Sequence, residues 1–116
     1  METKEYALGI DIGGTNSAFG LVDRNGNVLY ENSLPTKNFS TPQLLVDAIH
    51  TDIYSKYPTI NIIGISVGAP NGNHYTGEIV NAPNLSWKGR IPLAQLFKEK
   101  FNVYAELSND ANVAAI

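Results

Sequence analysis

Residues 8–16, Leu8-Gly9-Ile10-Asp11-Ile12-Gly13-Gly14-Thr15-Asn16, decide how the whole chain is read. An apolar run meets an aspartate, then a glycine pair, then a hydroxyl residue, and passes straight into a second extended run. Tyr6, Leu8, Ile10 and Ile12 are bulky and favour strands. Gly13 and Gly14 permit the positive φ values of a tight reversal and put no Cβ over the backbone amides. An anion can therefore approach those N–H groups closely, as concave runs of backbone amides allow. Thr15 adds a hydroxyl donor. Asp11 is a carboxylate at the mouth of the strand, placed to hold a hydrated magnesium ion.

The same residues also suit an ordinary β-hairpin closed by a glycine turn. Two other phosphate loops do not fit. No Gly-Lys-Ser/Thr follows and no helix begins here, against a P-loop. The G-x-G-x-x-G spacing of a dinucleotide fingerprint is missing.

The chain has 116 residues, the size of one domain, and a hydrophobic fraction of 43% is enough to fill a core. With 8 basic and 11 acidic residues the net charge is −3 and no basic run occurs, which argues against a nucleic-acid surface. Cysteine is absent, so disulfides and thiolate metal sites within the chain are excluded. The start, Met1-Glu2-Thr3-Lys4-Glu5, is not a signal peptide, and no apolar run reaches membrane-spanning length. The expectation is a cytoplasmic protein with no membrane partner.

Downstream, Ser17 to Val22 reads as a second strand. Asp23-Arg24-Asn25-Gly26 is a hairpin signal, with Asn-Gly suited to a type I′ turn, and Asn27 to Leu34 is a third strand. Pro35 to Ser40 is a loop. Thr41 is an N-cap with Pro42 at the first helical position. Leu45, Ile49 and Ile53, extended by Val46 and Tyr57, form the apolar stripe of a helix that Pro58 stops. His50 is a half-exposed member of that helix.

Ile60 to Val67 is apolar enough for a central strand. It leads into the loop Gly68-Ala69-Pro70-Asn71-Gly72, at the strand end where ligands bind in α/β sheets. Asn73 to Asn84 is irregular, with short extended pieces around Glu78-Ile79-Val80. A second helix opens at Ile91 or Pro92 and aligns Leu93, Phe97 and Phe101. Val103 to Leu107 is a fifth strand. Ser108-Asn109-Asp110 follows it, and Ala111 to Ile116 starts a third helix. The order is β-β-β-α-β-α-β-α, an α/β domain over 1–116. If the first and fifth strands run parallel, Asp11 and Asp110 share one sheet edge. The last helix is barely two turns long and lacks a closing glycine, basic residue or proline, which reads as a chain cut in mid-helix.

Four segments now stand in order: Asp11-Ile12-Gly13-Gly14-Thr15-Asn16, Gly68-Ala69-Pro70-Asn71-Gly72, Asn81-Ala82-Pro83-Asn84-Leu85-Ser86-Trp87, and Asn109-Asp110-Ala111-Asn112-Val113-Ala114-Ala115. Together they resemble the N-terminal half of a ROK-family sugar kinase, most closely its bacterial glucokinases. The resemblance implies an actin-like ATPase, ribonuclease-H-like fold with a mixed five-stranded sheet, and a second lobe outside this chain. It implies ATP and magnesium as cofactors, facing Asp11, Gly13, Gly14 and Thr15, with Asp11 holding Mg2+ through water. It implies a hexose pocket lined by Gly68, Ala69, Pro70 and Asn84, hydrogen bonds from Asn109 to neighbouring sugar hydroxyls, and Asp110 as general base and sugar ligand. The family's structural zinc site, adenine pocket and remaining sugar ligands belong to the second half, as does most of its homodimer interface.

That chemistry needs these residue types. Phosphoryl transfer is mostly positioning and charge stabilisation. A carboxylate that accepts the attacking hydroxyl's hydrogen bond aims the oxygen and takes its proton. Two departures stand out. The family usually has a glycine directly after the loop proline, where this chain has Asn71 and then Gly72, and the zinc ligands are absent. Alone, the chain is expected to be inactive, because its cleft has one wall. The alternative is a sugar-sensing module like the family's transcriptional regulators. A ribonuclease-H-type nuclease is disfavoured by the acidic balance. Trp87 is read as packing its loop, and His74 is given no role.

Overall fold

The structure, a computed structural model, describes residues 4–82 and 85–109, with Asn109 described by its backbone alone. Strands β1 (Glu5–Ile12), β2 (Asn16–Asp23) and β3 (Val28–Pro35) form an antiparallel meander. Helix α1 (Pro42–Lys56) follows, then β4 (Asn61–Ala69). Short strands β5 (Gly72–Asn73), β6 (Glu78–Val80) and β7 (Arg90–Ile91) come next, then α2 (Leu93–Phe101) and β8 (Ala105–Asn109). The main sheet has the order β3-β2-β1-β4-β8, with β4 parallel to both β1 and β8. It is the mixed five-stranded sheet expected from the sequence.

Alternation along the strands sorts the two faces. Leu8, Ile10 and Ile12 of β1, Phe19 and Leu21 of β2, Ile65 and Val67 of β4 and Leu107 of β8 are buried. The stripes Leu45, Val46, Ile49, Ile53 of α1 and Leu93, Phe97, Phe101 of α2 pack into the same core. Full burial of one such side chain stabilises the fold by about 1.5–3 kcal/mol. Helix α1 starts as expected: Thr41 caps it, its hydroxyl accepting from the Leu44 amide at 3.3 Å, and Pro42 sits in the first turn. Among the described residues, no helix is long and apolar enough to cross a membrane.

Several boundaries differ from the sequence reading, each for a non-local reason. Gly68 and Ala69 are the end of β4, because its ladders with β1 and β8 continue to Asp11–Gly68 and Ala69–Asn109. Strand β8 is displaced two residues onward, so Ser108 and Asn109 lie within it. Asn73 to Asn84 reads from sequence as irregular with short extended pieces around Glu78-Ile79-Val80; β6 takes that piece and joins β5 and β7 in a small antiparallel sheet. Ile91 belongs to it, so α2 begins only at Leu93.

The β2–β3 turn is not type I′. Asn25 keeps a negative φ and Gly26 alone is left-handed, at φ +84°. The Gly26 amide donates to the Asp23 carbonyl at 3.1 Å and the Asp23 amide to the Asn27 carbonyl at 3.0 Å, a type I turn with a glycine bulge. The Asp23 carboxylate selects this form by accepting from the Asn25 and Asn27 amides, each at 2.9 Å. The expected third helix, Ala111 to Ile116, lies outside the described residues.

Candidate functional site

Strands β1, β4 and β8 run parallel and end at one edge of the sheet. On the face away from the helices, the ladder aligns Ser33, Ala18, Asp11, Gly68 and Ser108 in one row across five strands. The next row is Glu31, Gly20, Gly9, Ser66 and Glu106. These small residues leave a groove of about 460 Å3, lined among others by Gly9, Asp11, Ala18, Gly20, Glu31 and Ser33. Asp11 stands exposed in it.

The glycine loop closes differently from the expectation. Neither Gly13 nor Gly14 takes a left-handed φ. Gly13 is required by crowding instead, since a Cβ there would stand 2.7 Å from the Asn16 carbonyl oxygen. Its amide donates to that same oxygen at 3.0 Å and is consumed within the turn. The amides of Gly14 and Thr15 donate to no acceptor among the described residues, so they are the pair left open at the turn. The Thr15 side chain is exposed at the loop tip.

Gly68 pairs with Asp11 in the row but is itself buried, and the Ala69 side chain is fully buried on the helix side and offers only main-chain groups. Pro70 is half-buried, and Asn71 after it is left-handed at φ +59°. The Asn109 backbone ends β8 opposite Ala69. Asn84 and Asp110 lie outside the described residues, and so does the Asn109 side chain. The segment that carries Asn84 is anchored on both sides. The Asn81 amide donates to the Gly89 carbonyl at 3.1 Å and the Gly89 amide to the Asn81 Oδ1 at 3.0 Å. Trp87 is 4% exposed and its indole N–H donates to the Phe39 carbonyl at 3.0 Å, so it packs the loop as read.

Sequence reasoning singled out neither Ser108 nor Glu31. Their signal is period-two spacing that places them in rows with Asp11 and Gly9, visible only once the register is known. Among the described residues no group of three or more metal-ligating side chains occurs. Asp11, an exposed carboxylate at the strand end that leads into the glycine loop, fits a magnesium ion that keeps most of its water and takes one protein ligand.

A mixed sheet of this order, with an acidic strand end and an amide-presenting hairpin on one edge, is the actin-like, ribonuclease-H-like arrangement, and the solved structures it resembles have it. The chain belongs to the ROK family, whose model matches residues 7–116. It is 34% identical over 109 residues to the glucokinase of Streptomyces coelicolor, covering 93% of this chain and 33% of that protein. It is 31% identical over 115 residues to the xylose repressor of Bacillus spizizenii, covering 95% of this chain and 29% of that one. The solved ROK glucokinase of Streptomyces griseus, in complex with glucose and AMPPNP, superposes with a TM-score of 0.77 at 29% identity, over 95% of this chain and 35% of that one. The chain thus spans about a third of the length of the curated relatives it matches.

Proposed function

We propose that this chain is the N-terminal, ligand-facing portion of an ATP-dependent hexose kinase. The supporting observation is the row that places Asp11 beside Gly68 and Ser108, which gathers the glycine loop, the end of β4 and the end of β8 on one edge. On this reading the Gly14 and Thr15 amides and the Thr15 hydroxyl meet phosphate oxygens. Asp11 orients hydrated Mg2+, which when bound neutralises charge on the phosphates. The turn at Gly68 to Pro70 and Asn84 contact the hexose, and Asn109 fixes its neighbouring hydroxyls. Asp110, next in the chain after β8, accepts the attacking hydroxyl's proton. General-base help of this kind accelerates such reactions about a hundred- to ten-thousand-fold.

The decisive experiment is calorimetric titration of the chain with Mg·AMPPNP and with glucose, beside Asp11→Asn. The expected result is nucleotide binding weakened at least tenfold by the substitution; equal affinity sinks the reading. A further expectation is that the 116-residue chain alone does not turn over, since the opposing wall of the cleft belongs to the rest of the protein. Turnover of about 1–100 per second with ATP, magnesium and glucose would overturn that part. In the complete protein, Asp110→Asn abolishes turnover with little loss of sugar affinity.

A second reading, a sugar-sensing portion of a transcriptional regulator, is favoured by the likeness to the xylose repressor. It predicts a full-length protein that binds sugar and leaves ATP intact. In either case the full-length protein is proposed to form a homodimer in the cytoplasm.

A further inference from the structure

Among the described residues, two polar side chains are buried in the core, and they bond to each other. Ser17 is 0% and Thr36 4% exposed, with their hydroxyl oxygens 2.7 Å apart. Ser17 lies on the apolar face of β2, where Phe19 and Leu21 follow at period two. An aliphatic side chain there would serve the core at least as well, since a buried hydroxyl must be given a partner. The pair therefore does something a hydrocarbon could not.

What it does follows from where it sits. Ser17 is the second residue of β2, directly after the turn, and pairs with Ile12 across it. Thr36 opens the short 3-10 turn after β3, and its amide donates to the Thr15 carbonyl at 2.9 Å. One residue thus grips the glycine loop twice, by its main chain at Thr15 and by its side chain at Ser17. The turn is itself held: the Phe39 amide donates to the Thr36 carbonyl at 3.1 Å, and the Phe39 carbonyl takes the Trp87 indole N–H at 3.0 Å. The glycine loop is fixed from below by a turn anchored to the Asn81–Gly89 segment.

We propose that Thr36, through Ser17, is the positioning residue of the anion-facing loop. It fixes the Thr15 carbonyl and so aims the Gly14 and Thr15 amides before any ligand arrives. Donors held in place in advance bind and stabilise charge better than donors that must reorganise. The functional meaning of the pair rests on the nucleotide reading above; its control of the loop does not.

The test is amide hydrogen exchange on the 116-residue chain, comparing Gly13, whose amide closes the turn, with Ile49 inside α1. Thr36→Val and Ser17→Ala are expected to lower Gly13 protection roughly tenfold relative to Ile49, the loss one hydrogen bond makes. Thr36→Ser, which keeps the hydroxyl, restores it. Ile53→Val, a core truncation of comparable cost, leaves the ratio unchanged. A ratio unmoved in Thr36→Val, or moved equally by Ile53→Val, overturns the proposal and returns the pair to plain core packing. Titration of the wild-type chain with Mg·AMPPNP, read at the Gly14 and Thr15 amide resonances, separates the two ideas. No shift there defeats the nucleotide reading alone, whereas a shift predicts weaker Mg·AMPPNP binding in Thr36→Val and its recovery in Thr36→Ser.

Discussion

Gly72 and Ser108 meet backbone to backbone. A Cβ on Gly72 would stand 2.4 Å from the Ser108 carbonyl oxygen and 3.1 Å from that of Ala69. The chain leaving β4 folds back over the end of β8 at this point, beside the row that holds Asp11. Neither oxygen can swing away, because Ser108 and Ala69 both sit in the β4–β8 ladder. Gly72→Ala is therefore expected to destabilise the chain by about 1–3 kcal/mol, the usual cost of overpacking. Urea denaturation measures it, and an unchanged midpoint would show that the close approach does not exist in solution.

Asn71, one residue earlier, is left-handed at φ +59°, a conformation that glycine would also take. The left-handed conformation costs most residues about 1–2 kcal/mol, while glycine and asparagine adopt it readily. Asn71→Gly should leave stability within about 0.5 kcal/mol, whereas Asn71→Val should lower it by about 1–2 kcal/mol. Equal stabilities for the two variants would refute a left-handed residue here.

Asp52 ties the edge strand β3 to α1. Its carboxylate accepts from the Tyr30 hydroxyl at 2.7 Å, the Asn32 amide at 3.2 Å and the Lys56 ammonium at 3.2 Å. Burial pushes the Asp52 carboxyl up, and the bonds from Tyr30, Asn32 and Lys56 together outweigh it and hold the group below its ordinary 3.8. A depressed carboxyl stabilises the fold above its unfolded value, and the contribution disappears as pH falls through the folded value. Asp52→Ala should cost about 2 kcal/mol at neutral pH, the worth of hydrogen bonds to a charged group. The gap to wild type should close in acid well below 3.8. A gap that is equal at both pH values would dismiss the clamp.

His50 gives a second, separate acid response. It lies between the rings of Tyr54, at 4.6 Å, and Phe101, at 5.0 Å. Burial and then the Lys100 charge push its imidazole below the ordinary 6.5, with Asp47 opposing. The folded state thus favours the neutral ring, so stability is full above 6.5 and declines as pH falls below it. His50→Gln should remove this decline, read as denaturation midpoint against pH. A decline of the same size in the variant would locate it elsewhere.

Sequence patterning reached most of the fold because it is local. The period-two run Leu8, Ile10, Ile12, the Thr41–Pro42 cap and the stripe Leu45, Ile49, Ile53 each specify an element from neighbours a few residues away. The turns after β1 and β4 were legible too, since Gly13-Gly14 and Pro70 punctuate the chain there. The strand ends were not. Whether Gly68, Ala69, Ser108 and Asn109 belong to strands depends on partners forty or more residues apart in the chain.

By itself the sequence determined the first four strands of the main sheet and helix α1, the face each buries and the identity of the residues at the strand ends. Only the tertiary structure decided which of those residues share a row. Register between distant strands set Asp11 in one row with Gly68 and Ser108. It also brought Thr36 under the loop. The reason is physical: hydrophobic period and turn chemistry act within a few residues, whereas ladder register and close backbone approach are settled only when separate segments pack.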